Sequence, residues 1–157
     1  MTQGRLDGGV LIMAGGTGGH VFPALAVANK LREHGVAVQW LGTQQGIENR
    51  LVPAHDITLN YISVSGLRGK GIAKLLFAPF QVIKAVYQAM QHITRLRPGC
   101  VLGMGGFASG PGGLAAWLLR KPLVLHEQNA FAGMTNRLLS RLARRVFCGF
   151  PQAFNQR

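Results

Sequence analysis

The sequence predicts an α/β fold built on a doubly wound, mostly parallel sheet. Three observations lead there. Short apolar runs alternate along the chain with segments of helical periodicity, the first of those runs stops at a dense cluster of glycines, and no repeat or low-complexity segment breaks the alternation. At 157 residues the chain is of single-domain size and long enough to bury a core.

Gly9–Ala14 (GVLIMA) is apolar throughout and ends at glycines, as a buried parallel strand does. Pro23 suits a first helical turn, and Ala24, Leu25, Val27, Ala28 and Leu31 carry a helix forward until Gly35 stops it. Val36–Leu41 is a second strand, Gly46–Val52 a short helix, and Ile57–Val64 a third strand with clearer alternation. A long helical pattern runs from Ile72 to Leu96. Strand Cys100–Gly103, helix Gly112–Leu119, strand Leu123–His126, helix Met134–Ala143 and strand Val146–Gly149 complete the alternation.

Charge narrows the choice of partners. Seventeen Lys and Arg against five Asp and Glu give a formal net charge of +12, and no acid lies between Ile57 and His126. Such a surface suits nucleic acid, acidic lipid or a phosphate-bearing substrate. The basic residues are dispersed, and no RNP, zinc-finger or helix-turn-helix pattern accompanies them, which argues against nucleic acid. Cys100 and Cys148 lie in apolar runs without metal-ligand spacing and read as reduced core residues. The sequence shows neither a signal peptide nor a run long enough to span a membrane.

In doubly wound sheets, ligands bind beyond the carboxyl ends of the strands. GGTGGH (15–20), GMGGFASGPGG (103–113) and HEQNAFAG (126–133) all fall at that edge, and SGLRGKG (65–71) adds Arg68 and Lys70. Four glycines in the five residues from Gly15 to Gly19 exceed what one tight turn needs. A glycine turn feeding a helix presents backbone N–H groups and the positive end of the helix dipole to an anion. It is not a dinucleotide fingerprint, because Val21 stands where the third glycine belongs and the end of the second strand, Leu41-Gly42-Thr43-Gln44-Gln45, has no acid to hold a ribose. Nor is it a Walker A motif, since no Gly-Lys-Ser/Thr follows. Gly105-Gly106 repeats the device, and two such turns suit a diphosphate, or a phosphate with a sugar.

His20 closes the first glycine run, and an imidazole there is a candidate general base. The bland alternative is a polar residue at a helix start. Glu127 is the only acid in the second half of the chain, at a strand's carboxyl end, where it could orient a ligand hydroxyl or tune a neighbour. Asn129 offers a donor and an acceptor suited to sugar hydroxyls. In the long helix, Ile72, Leu76, Phe80, Ile83, Tyr87 and Met90 form one apolar stripe, and Leu75, Val82, Val86 and Ile93 a second. Together they span roughly 160°, wider than the roughly 100° that faces one core. Lys70, Lys74, Lys84, Arg95 and Arg97 lie around or beyond them. Either the helix packs on two sides, or one stripe lies on an anionic bilayer.

The stretches at 14–28, 40–43, 65–71, 101–117, 124–140 and 150–154 together resemble the MurG family of bacterial glycosyltransferases. The resemblance implies the N-terminal half of a GT-B fold, with no metal and no cofactor. It implies transfer of N-acetylglucosamine from UDP-N-acetylglucosamine to the muramyl 4-hydroxyl of lipid I, with inversion, by a peripheral protein on the cytoplasmic face of the plasma membrane. By position, Thr17, Gly18 and Gly19 would touch diphosphate, Gly105 and Gly106 would form the second phosphate-facing turn, and Asn129 would meet the donor sugar. His20 would take the proton of the attacking hydroxyl. The membrane patch would include Ile72, Leu75, Leu76, Lys70 and Lys74. The family continues beyond FPQAF into a second domain that supplies most donor contacts. Residues 1–157 are therefore expected to be the acceptor-binding domain, with the C-terminal donor domain as missing partner and little activity alone. A non-catalytic membrane adaptor that recruits a separate donor-binding chain is the competing expectation.

Overall fold

The computed structural model describes residues 8–64 and 72–155, and for 72–78 the backbone alone. Strands and helices alternate as β1 (Val10–Met13), α1 (Gly18–Glu33), β2 (Val38–Gly42), α2 (Glu48–Ala54), β3 (Thr58–Tyr61), α3 (Ile72–Leu96), β4 (Cys100–Gly103), α4 (Ser109–Leu118), β5 (Leu123–Glu127), α5 (Met134–Leu139) and β6 (Arg145–Cys148). The six strands form one sheet in the order β3-β2-β1-β4-β5-β6, and every pair is parallel. The order reverses between β1 and β4, which makes that crevice the place where a doubly wound sheet binds ligands.

Side chains of β1 alternate between two cores, as the strand period requires. Val10 and Ile12 join Val21, Leu25, Trp40 and Val52 on one face of the sheet. Leu11 and Met13 join Ala89, Ile93, Ala115 and Leu139 on the other. The result is three layers, with a helix layer over each sheet face. Two glycines let α4 settle closely: a Cβ at Gly112 would strike the Met13 sulfur, and one at Gly113 would lie 2.6 Å from a Leu139 methyl.

Several boundaries differ from expectation. Helix α1 starts at Gly18, not near Pro23, because extended Thr17 supplies its carbonyl to the N–H groups of both His20 and Val21. Val21 is fully buried, so packing compensates for the poor helix propensity of glycine. Pro23 thus sits in the second turn, and its missing N–H leaves the Gly19 carbonyl without the usual donor. Strand β5 reaches Glu127, and α5 stops at Leu139 in a turn that continues to Ala143. Cys100 is half-buried, and burial pushes its thiol up from the ordinary value. Cys148 corrects the expectation of a core residue: it is exposed, because β6 is an edge strand with little packed over it.

Helix α3 resolves its two stripes unequally. Ala85, Val86, Ala89 and Ile93 face the core. Phe80, Ile83 and Tyr87, from the first stripe, are 70%, 66% and 62% exposed. Over its described side chains the helix therefore packs on one side only. Arg68 and Lys70 lie outside the described residues, as do the side chains of Ile72, Lys74, Leu75 and Leu76. Among the described residues, no helix is long and apolar enough to cross a membrane.

Candidate functional site

Three turns meet at the carboxyl edge of the sheet, after β1, β4 and β5. They enclose a cavity of about 690 Å³ lined at its polar end by Gly15, Gly16, Thr17, His20, Gly105, Gly106 and Glu127. Leu114, Met134, Leu138, Leu139 and Leu142 extend it as an apolar slot between helices. The sequence reading thus named most of the polar end. Asn129 lies outside the lining and is exposed, and Gly18 and Gly19 occupy the first turn of α1 beside it.

The five residues from Gly15 to Gly19 divide by cause. A Cβ on Gly15 would come within 2.5 Å of a Glu48 carboxylate oxygen, so the fold itself excludes it. Gly16 has φ +88°, a conformation other residues rarely adopt. Gly18 would meet the movable Phe22 ring at 3.0 Å and a methyl of Ile47 at an ordinary 3.9 Å, and Gly19 nothing closer than 3.9 Å. The last two are not required by packing. Their backbone N–H groups stand in a first helical turn with no side-chain cap, where intrahelical acceptors are lacking by construction. An anion held there would meet N–H groups and the helix dipole together.

Two buried carboxylates hold the turns, and neither pairs with a cation among the described residues. Glu48 is fully buried and accepts from the Gly16 N–H at 2.9 Å, the Thr43 N–H at 3.0 Å and the Thr43 hydroxyl at 2.8 Å. Gly15, Gly42 and Gly46 clear the space around it. Glu127, also fully buried, accepts from the Asn129 N–H and Nδ2 on one oxygen and from the Gly133 N–H and Asn136 Nδ2 on the other. Its role is to shape the turn after β5, and it leaves no free carboxylate face for a ligand hydroxyl. Asn129 correspondingly has its amide N–H engaged, and its oxygen has no partner among the described residues.

Ser109 joins the first and second turns. Its hydroxyl accepts from the Gly105 N–H at 3.1 Å and can donate to the carbonyl of Met13 or of Gly105, each at 2.8 Å. The Trp40 indole donates to the Ala14 carbonyl at 2.8 Å and fixes the end of β1 from the other face. Gly106 has φ +88°, and a Cβ there would strike the Gly15 carbonyl. Gln128 reaches His20, its Nε2 2.7 Å from the ring Nδ1. Glu48 and Gln128 escaped the sequence reading. Glu48 lies 32 residues from the Gly16 N–H it accepts, and Gln128 lies 108 from His20, so no local pattern marks either. The scarcity of acids in so basic a chain was the one available hint for Glu48. No group of three His, Cys, Asp or Glu able to hold a metal occurs among the described residues.

A profile of the glycosyltransferase family 28 N-terminal domain matches residues 10–148. The chain belongs to that family. It is 64% identical over 94% of its length to a UDP-N-acetylglucosamine--N-acetylmuramyl-(pentapeptide) pyrophosphoryl-undecaprenol N-acetylglucosamine transferase of Alkalilimnicola ehrlichii, of which it covers 42%. A relative of the same name from Chromohalobacter salexigens is 65% identical over 92% of the chain, which covers 40% of it. The crystal structure of Acinetobacter baumannii MurG superposes with a TM-score of 0.83 at 47% identity, over 94% of this chain and 43% of that one. The family 28 domain therefore spans about two fifths of the length of these relatives.

Glycines with different causes should respond differently to alanine. Gly106→Ala should destabilise the domain by roughly 2 kcal/mol or more, from positive φ and the collision with Gly15. Gly19→Ala should change stability by less than about 1 kcal/mol, since alanine is the better helix former. Urea unfolding midpoints measure both, and equal losses would show that Gly19 is also held by packing. Glu48→Ala should cost roughly 3 kcal/mol, because it strands the N–H groups of Gly16 and Thr43. A midpoint within error of the parent would remove Glu48 as the brace of the first turn.

Proposed function

We propose that this chain is the acceptor-binding part of a transferase that moves N-acetylglucosamine from UDP-N-acetylglucosamine to the muramyl 4-hydroxyl of lipid I, with inversion, giving lipid II. The observation that carries the reading is the meeting of two glycine turns at the switch point of the sheet, where the uncapped first turn of α1 adjoins the cavity. Thr17, Gly18 and Gly19 supply backbone N–H groups to a diphosphate, and Gly105 and Gly106 keep the second turn low enough for it to approach. The accessible Asn129 oxygen is placed to accept from a sugar hydroxyl. High identity to relatives named for this transfer supports the substrate assignment. The relatives' remaining length is the natural source of the donor-binding part.

The exposed stripe of α3 supports a peripheral position on a membrane, and the resemblance to the MurG family is our ground for placing it on the cytoplasmic face of the plasma membrane. Phe80, Ile83 and Tyr87 present apolar surface, and Trp117 and Leu118 of α4 are also exposed, at 48% and 49%. Ile72 and Leu76 continue the same stripe by sequence register, and Lys70 and Lys74 lie close to it in sequence. Each cation near an anionic surface contributes about 1 kcal/mol, screened within a Debye length.

Purified 1–157 should turn over UDP-N-acetylglucosamine and lipid I negligibly, and adding a separately expressed donor domain should restore transfer. Half a cleft provides little of the positioning that lowers the barrier. Transfer at ordinary enzyme rates by 1–157 alone would overturn the division of labour. Sedimentation with vesicles should show binding that needs anionic lipid and weakens with salt. Phe80→Glu with Ile83→Glu should reduce it at least about tenfold, given roughly 1.5–3 kcal/mol per buried large apolar side chain. Equal binding to neutral vesicles, or binding unchanged by the double substitution, would overturn the membrane reading.

A further inference from the structure

We propose that Gln128 fixes neutral His20 with its proton on Nε2, so that His20 serves the cavity as a hydrogen-bond donor to an anionic oxygen rather than as a proton acceptor. The ligand half of this inference rests on the phosphate reading of the glycine turns; the tautomer half stands on hydrogen-bond geometry alone.

Gln128 follows Glu127 at the end of β5, and its amide nitrogen has two neighbours. His20 Nδ1 is 2.7 Å away and the Met104 carbonyl oxygen 3.1 Å away. A carbonyl oxygen only accepts, so the group that faces Met104 is the NH₂ end of the amide. Its two hydrogens serve the two neighbours, one each. Turned over, the amide would set its own oxygen against the Met104 oxygen at that distance, with no hydrogen between them. The network assigns the orientation on this ground. At the other end, Gln128 Oε1 lies 3.5 Å from His126 Nδ1, a long contact in which the imidazole N–H donates.

A nitrogen that accepts a hydrogen bond carries a lone pair. His20 Nδ1 is therefore unprotonated, and the single proton of the neutral ring is on Nε2. Gly105 makes this arrangement possible: a Cβ there would come within 2.6 Å of Nδ1, in the space where Gln128 and the ring meet. Nε2 has no partner among the described residues and is not among the buried unpartnered atoms, and His20 lines the cavity. The ring that carries this N–H thus stands at the polar end of the cavity, within the first turn of α1.

For Nε2 to take a proton from a hydroxyl, Nδ1 would first have to carry the hydrogen. Gln128 would then have to turn its oxygen to His20 and toward Met104, losing one hydrogen bond and creating a repulsion. This departs from the sequence expectation of His20 as the base. Glu127, the other ionisable group lining the described cavity, has both oxygens engaged twice.

The test uses 1–157 labelled with ¹⁵N-histidine, observed by long-range ¹H–¹⁵N correlation at about pH 8, where a free imidazole is neutral. The parent should show the Nε2–H form for His20. Gln128→Glu, which offers only acceptor oxygens when ionised, should move the proton to Nδ1. Gln128→Leu should leave a mixture of tautomers, and amide spectra check that each variant is folded. An Nδ1–H form in the parent, or a tautomer unmoved in both variants, would overturn the assignment. Inorganic pyrophosphate should then shift His20 Nε2 together with the amides of Gly18 and Gly19. His20→Gln, which keeps an N–H at similar reach, should bind pyrophosphate within about threefold of the parent, and His20→Phe roughly tenfold more weakly. Equal weakening by both, or amide shifts that leave His20 unmoved, would overturn the donor role. An absence of any shift would defeat the phosphate reading itself, a failure that the tautomer spectra distinguish.

Discussion

The contact on which the site depends is a stack of backbone and carboxylate across three elements. Gly106 lies so close to Gly15 that a side chain at position 106 would strike the Gly15 carbonyl, and Gly15 in turn lies against the Glu48 carboxylate. The turns after β1 and β4 therefore meet backbone to backbone, with α2 buttressing the pair from outside. This closeness brings Gly105 beneath the His20 ring and lets one Ser109 hydroxyl reach both Met13 and Gly105. A side chain in the stack would separate the turns, and the cavity would lose its polar end.

Buried carboxylates do this work with no cation partner among the described residues, and that has an electrostatic consequence. Glu48 and Glu127 are satisfied by backbone N–H groups, a hydroxyl and side-chain amides. Charge-assisted bonds of this kind can hold an ionised carboxylate in the interior where an isolated one would be costly. Of the remaining acids, Glu33 meets Lys30 in an exposed ion pair, a weak contribution to stability. The acids thus do little to mask the basic surface, and the excess charge stays available to an anionic partner. The polar cavity and the exposed apolar stripe are the two features on which the proposed lipid-linked diphosphate substrate rests.

The succession of strands and helices along the chain, the long helix and the glycine turns at the ends of strands were legible in the sequence because each leaves a local mark. A buried parallel strand is a short apolar run, and the glycines at 15–19 and 105–106 sit where such runs end. Helix α1 was misjudged at its start because glycine has low helix propensity, and the helix begins at Gly18 through the Thr17 carbonyl and the burial of Val21, neither of which the local pattern shows. Periodicity found two stripes on α3, yet it could not say which one met the core. Ala85 and Ala89, too small to stand out in a hydrophobic pattern, let the helix pack closely along that line.

By itself the sequence determined the alternating α/β plan, the edge at which a ligand would bind and the basic, acid-poor surface, since these follow from composition and short-range pattern. Tertiary structure alone decided which glycines serve packing and which do not, because the neighbours that exclude a Cβ come from distant turns. It also decided what the polar groups do. Glu48 became a brace, Glu127 became the organiser of the turn after β5, and Gln128 came to face His20 across 108 residues of chain. The chemistry of His20 turns on which hydrogen its neighbour offers, and that neighbour is chosen by the fold.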